Sequence, residues 1–218
     1  MFTRLKQSLV VWLIKKVQKY GPRKVLISGR VYEISEDVFN PKFYFTSRFM
    51  AEHISVTPED NVLDMGTGSG IQAVTAGHSG AEVIAVDINP EAVRYAYRNV
   101  MANALDDSIT VQVGDLFSTL DPQHKFSVIL FTPPYLEGTP ETLLDKALYD
   151  PDKDLLIRFF KEAKEYLRPG GYIQMIYSSI AGNGKAISAA EQSGWNHSII
   201  ARAKTLTEEF IIYRLTLG

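Results

Sequence analysis

The sequence contains no cysteine, and this absence excludes several kinds of chemistry. Disulfide bridges, thiolate metal sites and cysteine nucleophiles are all ruled out. Histidine is scarce as well, and the four that are present show no metal-ligand spacing with one another: His53, His78, His124 and His197. The sequence therefore predicts neither a disulfide framework nor a metal site.

Long hydrophobic runs are also missing. The apolar run at residues 9–14 is too short to span a bilayer, and Lys15 and Lys16 directly after it contradict a cleavable signal peptide. We therefore predict a cytoplasmic protein without a membrane span.

Acidic residues are absent from the first 30 positions, which hold eight Lys and Arg residues, whereas the remaining 15 basic residues face 25 acidic ones, a net charge of −10. A basic arm thus precedes an acidic body. This distribution disfavours a wide nucleic-acid surface but leaves open a local phosphate contact on the arm.

The most informative stretch is residues 62–70, which reads Val-Leu-Asp-Met-Gly-Thr-Gly-Ser-Gly. Buried strands end in this way when the chain must turn tightly and expose its backbone to a ligand, because glycine permits positive φ and close approach. The apolar, helix-compatible segment 71–76 follows, so the unit reads strand, glycine turn, helix. A dinucleotide-binding turn would need its third glycine where this chain has Ile71.

A second carboxylate stands at the end of the next apolar run, residues 83–86. Asp87 follows Gly66 by about twenty residues, a spacing at which a carboxylate can accept hydrogen bonds from both ribose hydroxyls. The two features predict an adenosine-type ligand with no need for a pyrophosphate site. The alternative is a glycine turn of an α/β protein that binds nothing, and the spacing of Asp64 and Asp87 argues against it.

Residues 64–70 and the stretch Asp-Ile-Asn-Pro-Glu-Ala at 87–92 resemble the S-adenosylmethionine site of class I methyltransferases. The resemblance extends from about Val31 to the carboxyl terminus. It is closest to the short members of the HemK family, which are release-factor glutamine methyltransferases, and to their nucleic-acid-modifying relatives. It implies an α/β fold with a doubly wound, mostly parallel seven-stranded sheet whose last strand is antiparallel.

The same resemblance implies S-adenosylmethionine as the cofactor and a set of residues that bind it. Asp115, after the third strand of the sheet, would bond the exocyclic amine of adenine, and the backbone of Leu116 would meet the ring. The full implied set is Asp64, Gly66, Thr67, Gly68, Gly70, Asp87, Ile88, Asp115, Leu116 and Thr132.

The predicted strand 126–131 runs into Thr132, Pro133, Pro134 and Tyr135. Two consecutive prolines lack backbone N–H groups and stiffen a turn at the carboxyl edge of the sheet, where open α/β sheets place ligands. The turn resembles the Asn-Pro-Pro-Tyr motif of methyltransferases that act on amide or exocyclic amine nitrogen. In those enzymes the Asn oxygen and a proline carbonyl accept the two hydrogens of the target NH₂, and the Tyr ring covers the planar group.

Thr132 departs from that motif, because its hydroxyl accepts hydrogen bonds but is shorter than an amide and lacks its fixed geometry. The departure opens aliphatic amines and other nucleophiles, small molecules among them, beside planar amides. We predict Thr132, Pro133 and Tyr135 as catalytic residues. Tyr177, at the end of the fifth strand, is predicted as a further contact in the catalytic site, and packing is its alternative role.

Residues 1–45 are predicted as an extension on a catalytic, cofactor-binding domain of residues 46–218. Apolar residues recur at helical spacing from Thr3 to Tyr20, which predicts an amphipathic basic helix. This helix would pack on the domain or on a partner subunit, close over the substrate, or bind a membrane or partner. A β-hairpin is predicted from Val25 to Ile34.

The segment that precedes the sheet resembles the part of HemK-type enzymes that approaches the methionine end of the cofactor. The resemblance implies that Phe39, Tyr44 and Thr46 wall the substrate pocket. Their alternative role is an aromatic anchor between the extension and the core.

The resulting hypothesis is an S-adenosylmethionine-dependent methyltransferase that acts on nitrogen of a protein side chain, a nucleobase or a small metabolite. One alternative is an enzyme that alkylates or cyclises the aminocarboxypropyl arm of its own cofactor. Another is a non-catalytic module that binds the cofactor. The sequence does not specify the acceptor, and a homodimer is one arrangement open to the chain.

Overall fold

The computed structural model describes residues 16, 18–38, 40, 45–206 and 208–218. Most of the predicted helix from Thr3 to Tyr20 lies outside this part of the chain, although Lys16 and residues 18–20 are helical. Phe39 and Tyr44, predicted at the substrate pocket, lie outside it as well.

Apart from the helical residues 16 and 18–20, the described residues form nine strands, six α-helices and two short 3₁₀ helices. The strands are β1 (Lys24–Ile27), β2 (Arg30–Glu33), β3 (Asn61–Met65), β4 (Glu82–Asp87), β5 (Ile109–Val113), β6 (Phe126–Phe131), β7 (Leu167–Ser178), β8 (Trp195–Lys204) and β9 (Glu209–Leu217). The helices are α1 (Phe45–Ala51), α2 (Ile71–His78), α3 (Pro90–Ala102), α4 (Leu143–Lys146), α5 (Asp154–Tyr166) and α6 (Asn183–Gln192).

Strands β3 to β9 form one seven-stranded sheet in the order β5-β4-β3-β6-β7-β9-β8. Strands β5, β4, β3, β6 and β7 pair in parallel, and β9 is antiparallel to both of its neighbours. The predicted doubly wound sheet with an antiparallel last strand is thereby confirmed. The chain runs outward from β3 to β5 and then returns to β6 on the other side of β3. The crevice at the carboxyl ends of β3 and β6 is therefore the switch point where such sheets bind ligands.

Both faces of the sheet are covered, and alternate residues of each central strand enter different cores. In β6, Val128 and Leu130 join the apolar cluster beneath α1, α2 and the hairpin. Ile129 and Phe131 join the cluster beneath α5 and α6. Burial on both faces explains why β6 is apolar at five of its six positions. This packing holds the carboxyl end of the strand, and the turn after it, in a fixed position.

Strands β1 and β2 form the predicted hairpin, which turns at Ser28 and Gly29, both with positive φ. Asn99 of α3, which is fully buried, connects this hairpin to the glycine turn. Its Oδ1 accepts from Glu33 N at 2.7 Å, and its Nδ2 lies 2.9 Å from the carbonyl oxygens of Glu33 and Ser69. The extension is thus anchored close to the predicted cofactor site. A domain boundary at residue 45 stays a prediction.

Some elements differ in extent from the sequence prediction. The segment 136–150, predicted as a loop, contains the short helix α4, which begins with a capping box between Thr142 and Asp145. Strand β7 begins at Leu167 rather than Tyr172. Of the helices that the structure describes, none combines the length and apolarity needed to cross a bilayer.

Candidate active site

A cavity of about 410 Å³ opens at the carboxyl ends of β3, β4 and β6. Its volume lies in the range typical of small-molecule sites. The predicted site residues that line it are Thr46, Gly66, Thr67, Gly68, Asp87, Ile88, Asp115, Leu116, Thr132, Pro133 and Tyr135. The fold therefore brings the predicted cofactor residues and the predicted catalytic turn to one cavity. Asp64, Gly70 and Tyr177 are not part of its wall as far as the chain is described.

Asp64 stabilises the glycine turn from beneath. Its carboxylate is buried, and Oδ2 accepts from Thr67 Oγ1 at 2.6 Å and from the backbone N–H of Ala73 at 3.0 Å. Burial raises the pKa of Asp64 to about 7, and these two donors act in the opposite direction. The carboxylate thus joins the end of β3 to the first turn of α2 and fixes the shape of the turn between them.

Gly68 leaves open space where a side chain would stand. Its φ is +57°, and apart from its chain neighbours no heavy atom of the described residues lies within 4 Å of the position that a Cβ would occupy. A positive φ is costly for most other residues, so glycine is required here for the turn itself. The backbone at Gly68 thus borders the cavity, with open space beside it that a ligand can occupy.

Asp87, at the end of β4, is held in place by two backbone donors. Its Oδ2 accepts from Gly68 N at 2.9 Å, and its Oδ1 accepts from Asn89 N at 2.9 Å. A carboxylate has about four acceptor positions, so each oxygen can accept a further hydrogen bond. Burial raises the pKa of Asp87 against the effect of these donors. The remaining acceptor capacity suits a pair of sugar hydroxyls.

Asp115 and Leu116 form the next part of the wall. Leu116 has φ +50°, a conformation that is uncommon for a branched side chain and often marks functional sites. The carboxylate of Asp115 lies 3.1 Å from the guanidinium of Arg158 on α5. Both side chains are about half exposed, so this ion pair contributes little to stability. The open space at Gly68, the Asp87 carboxylate and the wall at Asp115 and Leu116 together fit an adenosine-type cofactor.

Thr132 is in contact with a residue that the sequence did not suggest. The amide nitrogen Nε2 of Gln72, in the first turn of α2, donates to Thr132 Oγ1 at 3.1 Å. Gln72 lines the cavity and is nearly buried. The sequence feature that could have drawn attention to Gln72 is its polarity within the apolar run directly after the glycines.

Tyr177 contacts Tyr135 of the predicted catalytic turn. It is fully buried, and its ring meets the ring of Tyr135 edge-on, with centroids 5.8 Å apart. Its hydroxyl has no hydrogen-bond partner among the residues that the structure describes, and burial raises its pKa well above the usual value. This placement supports a role in holding Tyr135.

Lys153 holds the segment that follows the turn. Its buried ammonium group donates to Glu137 Oε1 at 2.9 Å, to the Asp150 carbonyl at 3.1 Å and to the Tyr135 carbonyl at 3.4 Å. The backbone of Asp152 and Lys153 has positive φ, 55° and 63°, an uncommon conformation that brings the lysine inward. The sequence feature that could have indicated this turn is the pair Asp150-Pro151, because proline is common at the first position of a helix.

The amino-terminal extension also reaches the cavity. Asp37 and Val38 line it, and Asn89 Nδ2 donates to the Asp37 carbonyl at 2.9 Å. Buried Gln18 donates to the Ser35 carbonyl at 2.9 Å and thereby fixes the same segment. Thr46, the predicted substrate-pocket residue that the structure describes, is buried and lines the cavity.

Seven strands in this order, with a cavity at the switch point built around a glycine turn and a carboxylate after the second strand, define a class of enzyme. The class is that of the S-adenosylmethionine-dependent methyltransferases of class I. Residues 36–204 match the model of the methyltransferase small domain family, and the chain belongs to this family.

Two relatives agree with this assignment. A Methanocaldococcus jannaschii protein, provisionally named a protein N5-glutamine methyltransferase, is 32% identical over 196 residues, which are 87% of this chain and 93% of that one. A release factor glutamine methyltransferase of Rhodopirellula baltica is 35% identical over 155 residues. That alignment covers 65% of this chain and 52% of the relative, so the chain spans about half the length of that enzyme.

The fold recurs in solved structures. The 16S rRNA N2 G1207 methyltransferase of T. thermophilus, crystallised with AdoMet and guanosine, superposes with a TM-score of 0.68 at 22% identity, over 89% of this chain and 50% of that one. At this identity the likeness supports the fold alone. The predicted activity and the predicted cofactor are confirmed by the family: the chain is an S-adenosylmethionine-dependent methyltransferase. Neither self-alkylation nor a purely binding role finds support among the relatives.

Proposed function

We propose that this chain transfers a methyl group to the side-chain carboxamide nitrogen of a glutamine in a protein. The observation that carries the proposal is the stiff turn from Thr132 to Tyr135, which lines the same cavity as the glycine turn. The two relatives described above support it, because both are named as glutamine methyltransferases.

The electrostatics of the cavity favour a neutral or cationic acceptor. Among the described residues, its wall carries six acidic side chains and two basic ones. They are Asp37, Asp87, Asp115, Asp150, Asp154 and Glu208 against Lys146 and Arg158. An acidic wall repels the phosphates of a nucleic acid and accepts a neutral carboxamide without penalty. This distribution favours a protein acceptor over RNA or DNA.

The cofactor would lie in the part of the cavity that is formed after the ends of β3, β4 and β5. Asp87 would accept the ribose hydroxyls, the backbone at Gly66 and Gly68 would leave room for the amino-acid arm, and Asp115 and Leu116 would meet the adenine. When bound, S-adenosylmethionine supplies an electrophilic methyl group on a positively charged sulfur.

The protein's own part is to orient the acceptor and to exclude water, since the reaction is a direct displacement. The new N–C bond forms as the S–C bond breaks, and one proton leaves the nitrogen. Thr132 Oγ1 and the carbonyl of Pro133 would accept the N–H groups of the carboxamide, and Tyr135 would cover its planar face. The released proton would pass to one of these oxygens or to water.

Methyl-labelled cofactor tests the proposal. The purified chain is incubated with it and with a release factor, ribosomal RNA, free glutamine or simple amines, each in turn. We expect label in the protein acceptor, and peptide mass spectrometry should locate it on one glutamine. An acceptor in which that glutamine is replaced by alanine serves as the control. Label in RNA or in amines alone would contradict the proposal, as would consumption of the cofactor without any acceptor.

The setting and the assembly of the enzyme belong to the same proposal. We expect it to act in the cytoplasm, where release factors work, and fractionation of the source cells would test this. A homodimer is a further expectation, and light scattering of the purified chain at several concentrations decides it.

A further inference from the structure

Gln72 occupies an unusual place for a polar side chain. It lies in the first turn of α2 and is 7% exposed, whereas its neighbours Ile71, Ala73 and Val74 are buried and apolar. A glutamine in such surroundings gives up contacts with water, which costs free energy unless the amide is hydrogen-bonded. The amide of Gln72 therefore needs hydrogen-bond partners at this position.

Thr132 accounts for one of these hydrogen bonds, through Gln72 Nε2. In the described part of the chain, no other partner of the Gln72 side chain is found. A carboxamide has two N–H donors and a carbonyl oxygen with two lone pairs, so capacity remains. Gln72 lines the cavity, and its Oε1 accepts no hydrogen bond from the described residues and is not one of their fully buried atoms, so a ligand in the cavity could donate to it.

The contact also constrains Thr132. A free threonine hydroxyl can rotate and so gives a substrate no fixed acceptor. The donation from Gln72 occupies one lone pair of Thr132 Oγ1 and restricts the hydroxyl hydrogen to the two remaining positions, so that the oxygen can accept a second hydrogen bond from the other. The two side chains thus present two oxygens side by side, one of them part of a planar amide.

We propose that Gln72 binds the methyl acceptor: its Oε1 shares with Thr132 Oγ1 one N–H of the group to be methylated, while its Nε2 positions Thr132 and the Pro133 carbonyl accepts the other N–H. The amide that a lone Thr132 cannot provide comes from the neighbouring helix. The proposal rests on the proposed function for the identity of the acceptor as a carboxamide. The hydrogen bonds themselves serve any acceptor with N–H groups.

Acceptor binding can be measured apart from turnover. The probe is N-acetyl-L-glutaminamide, titrated by NMR into the protein saturated with S-adenosylhomocysteine. We expect Gln72→Met, which keeps the length and removes the polar atoms, to bind the probe about tenfold more weakly, with unchanged affinity for S-adenosylhomocysteine. Gln72→Glu keeps the acceptor oxygens and replaces the donation from Nε2 by one from the Thr132 hydroxyl to the carboxylate, so it should stay within about threefold of wild type. It also serves as the second variant if Gln72→Met does not fold.

Two further variants separate acceptor binding from packing. Thr132→Asn in the Gln72→Met background supplies an amide directly and should restore the affinity to within about twofold of wild type. The matched control is Gln112→Met. Gln112 Nε2 makes the same kind of hydrogen bond to Thr119 Oγ1, at 3.2 Å, but neither residue lines the cavity. We expect no change in probe binding for this control.

The proposal is overturned if Gln72→Met binds the probe as wild type does, if Thr132→Asn restores nothing, or if affinity for S-adenosylhomocysteine falls in parallel. The proposed function fails in a different way, namely if wild type prefers butylamine or adenosine to the carboxamide. The same variants are then compared with the preferred probe, and equal binding by Gln72→Met again overturns the role of Gln72. Binding of no probe by the wild type would also contradict it.

Discussion

The cavity has a part in which we propose that the cofactor binds, the cofactor half (Gly66, Gly68, Asp87, Asp115 and Leu116), and a part in which we propose that the acceptor binds, the acceptor half (residues 132–135). These two halves are held in place by different means. In the cofactor half, Asp64 and Asp87 each accept two hydrogen bonds from groups in the unit that runs from β3 to the start of α3. In the acceptor half, the turn at Thr132 is held by side chains from elsewhere in the chain, above all Gln72 and Lys153. Changes in the first half should therefore affect folding and cofactor affinity. Changes in the second half should affect turnover and acceptor choice.

The largest effect is expected from Asp64→Ala. The substitution leaves the Thr67 hydroxyl and the Ala73 N–H without their acceptor in a buried place, and we expect a loss of about 2–5 kcal/mol in the free energy of unfolding. Urea denaturation measures it. Asp106→Ala, at an exposed position, is the control and should change stability little. Equal stability of the two variants would contradict the role of Asp64 in bracing the turn.

Asp87→Ala should mainly weaken the cofactor complex. Removing the carboxylate leaves the ribose hydroxyls and the Gly68 N–H without an acceptor, and we expect S-adenosylmethionine to bind about 1–3 kcal/mol more weakly. Isothermal calorimetry gives the value directly. Unchanged affinity would show that the ribose lies elsewhere and would break the assignment of this half.

Lys153→Met should affect the acceptor half alone. The variant removes the ammonium group that holds the Tyr135 carbonyl and Glu137, and we expect kcat for methyl transfer to fall about tenfold. Cofactor affinity should not change. Lys146→Met is the matched control, since Lys146 also lines the cavity but is exposed. A loss of cofactor affinity in Lys153→Met would remove the distinction between the halves.

A smaller effect on stability, per pH unit, is expected from the titration of Asp64. Burial raises the pKa of Asp64 in the folded chain to about 7, above its value in the unfolded chain. The folded state thus binds the proton more tightly, and its stability should fall as pH rises from about 4 to 7, by at most about 1.4 kcal/mol per pH unit. Denaturation across this range should show a flatter profile for Asp64→Asn. An identical slope in both proteins would contradict the raised pKa.

The cofactor half could be predicted from the sequence because its contacts are local. The glycines and the carboxylates at 64 and 87 stand at spacings typical of a strand, a turn, a helix and the next strand, and the mostly parallel sheet was implied by the resemblance to class I methyltransferases. The turn at Thr132 was visible because its two prolines restrict the backbone wherever they occur.

The acceptor half could not be predicted in full, because its supports come from distant positions. Gln72 and Thr132 are 60 residues apart, and Lys153 is 18 residues from Tyr135. The surroundings of Tyr177 could not be predicted from the sequence either. Its position at the end of β7 was predicted, but which face of the sheet it occupies depends on register, and it contacts Tyr135 without being part of the cavity wall described here.

A crystal structure with S-adenosylhomocysteine tests the central claim most directly. We expect the ribose hydroxyls against Asp87, the adenine beside Asp115 and Leu116, and the sulfur directed toward the turn from Thr132 to Tyr135. A ligand bound outside this cavity, or one whose sulfur points away from that turn, would contradict the account.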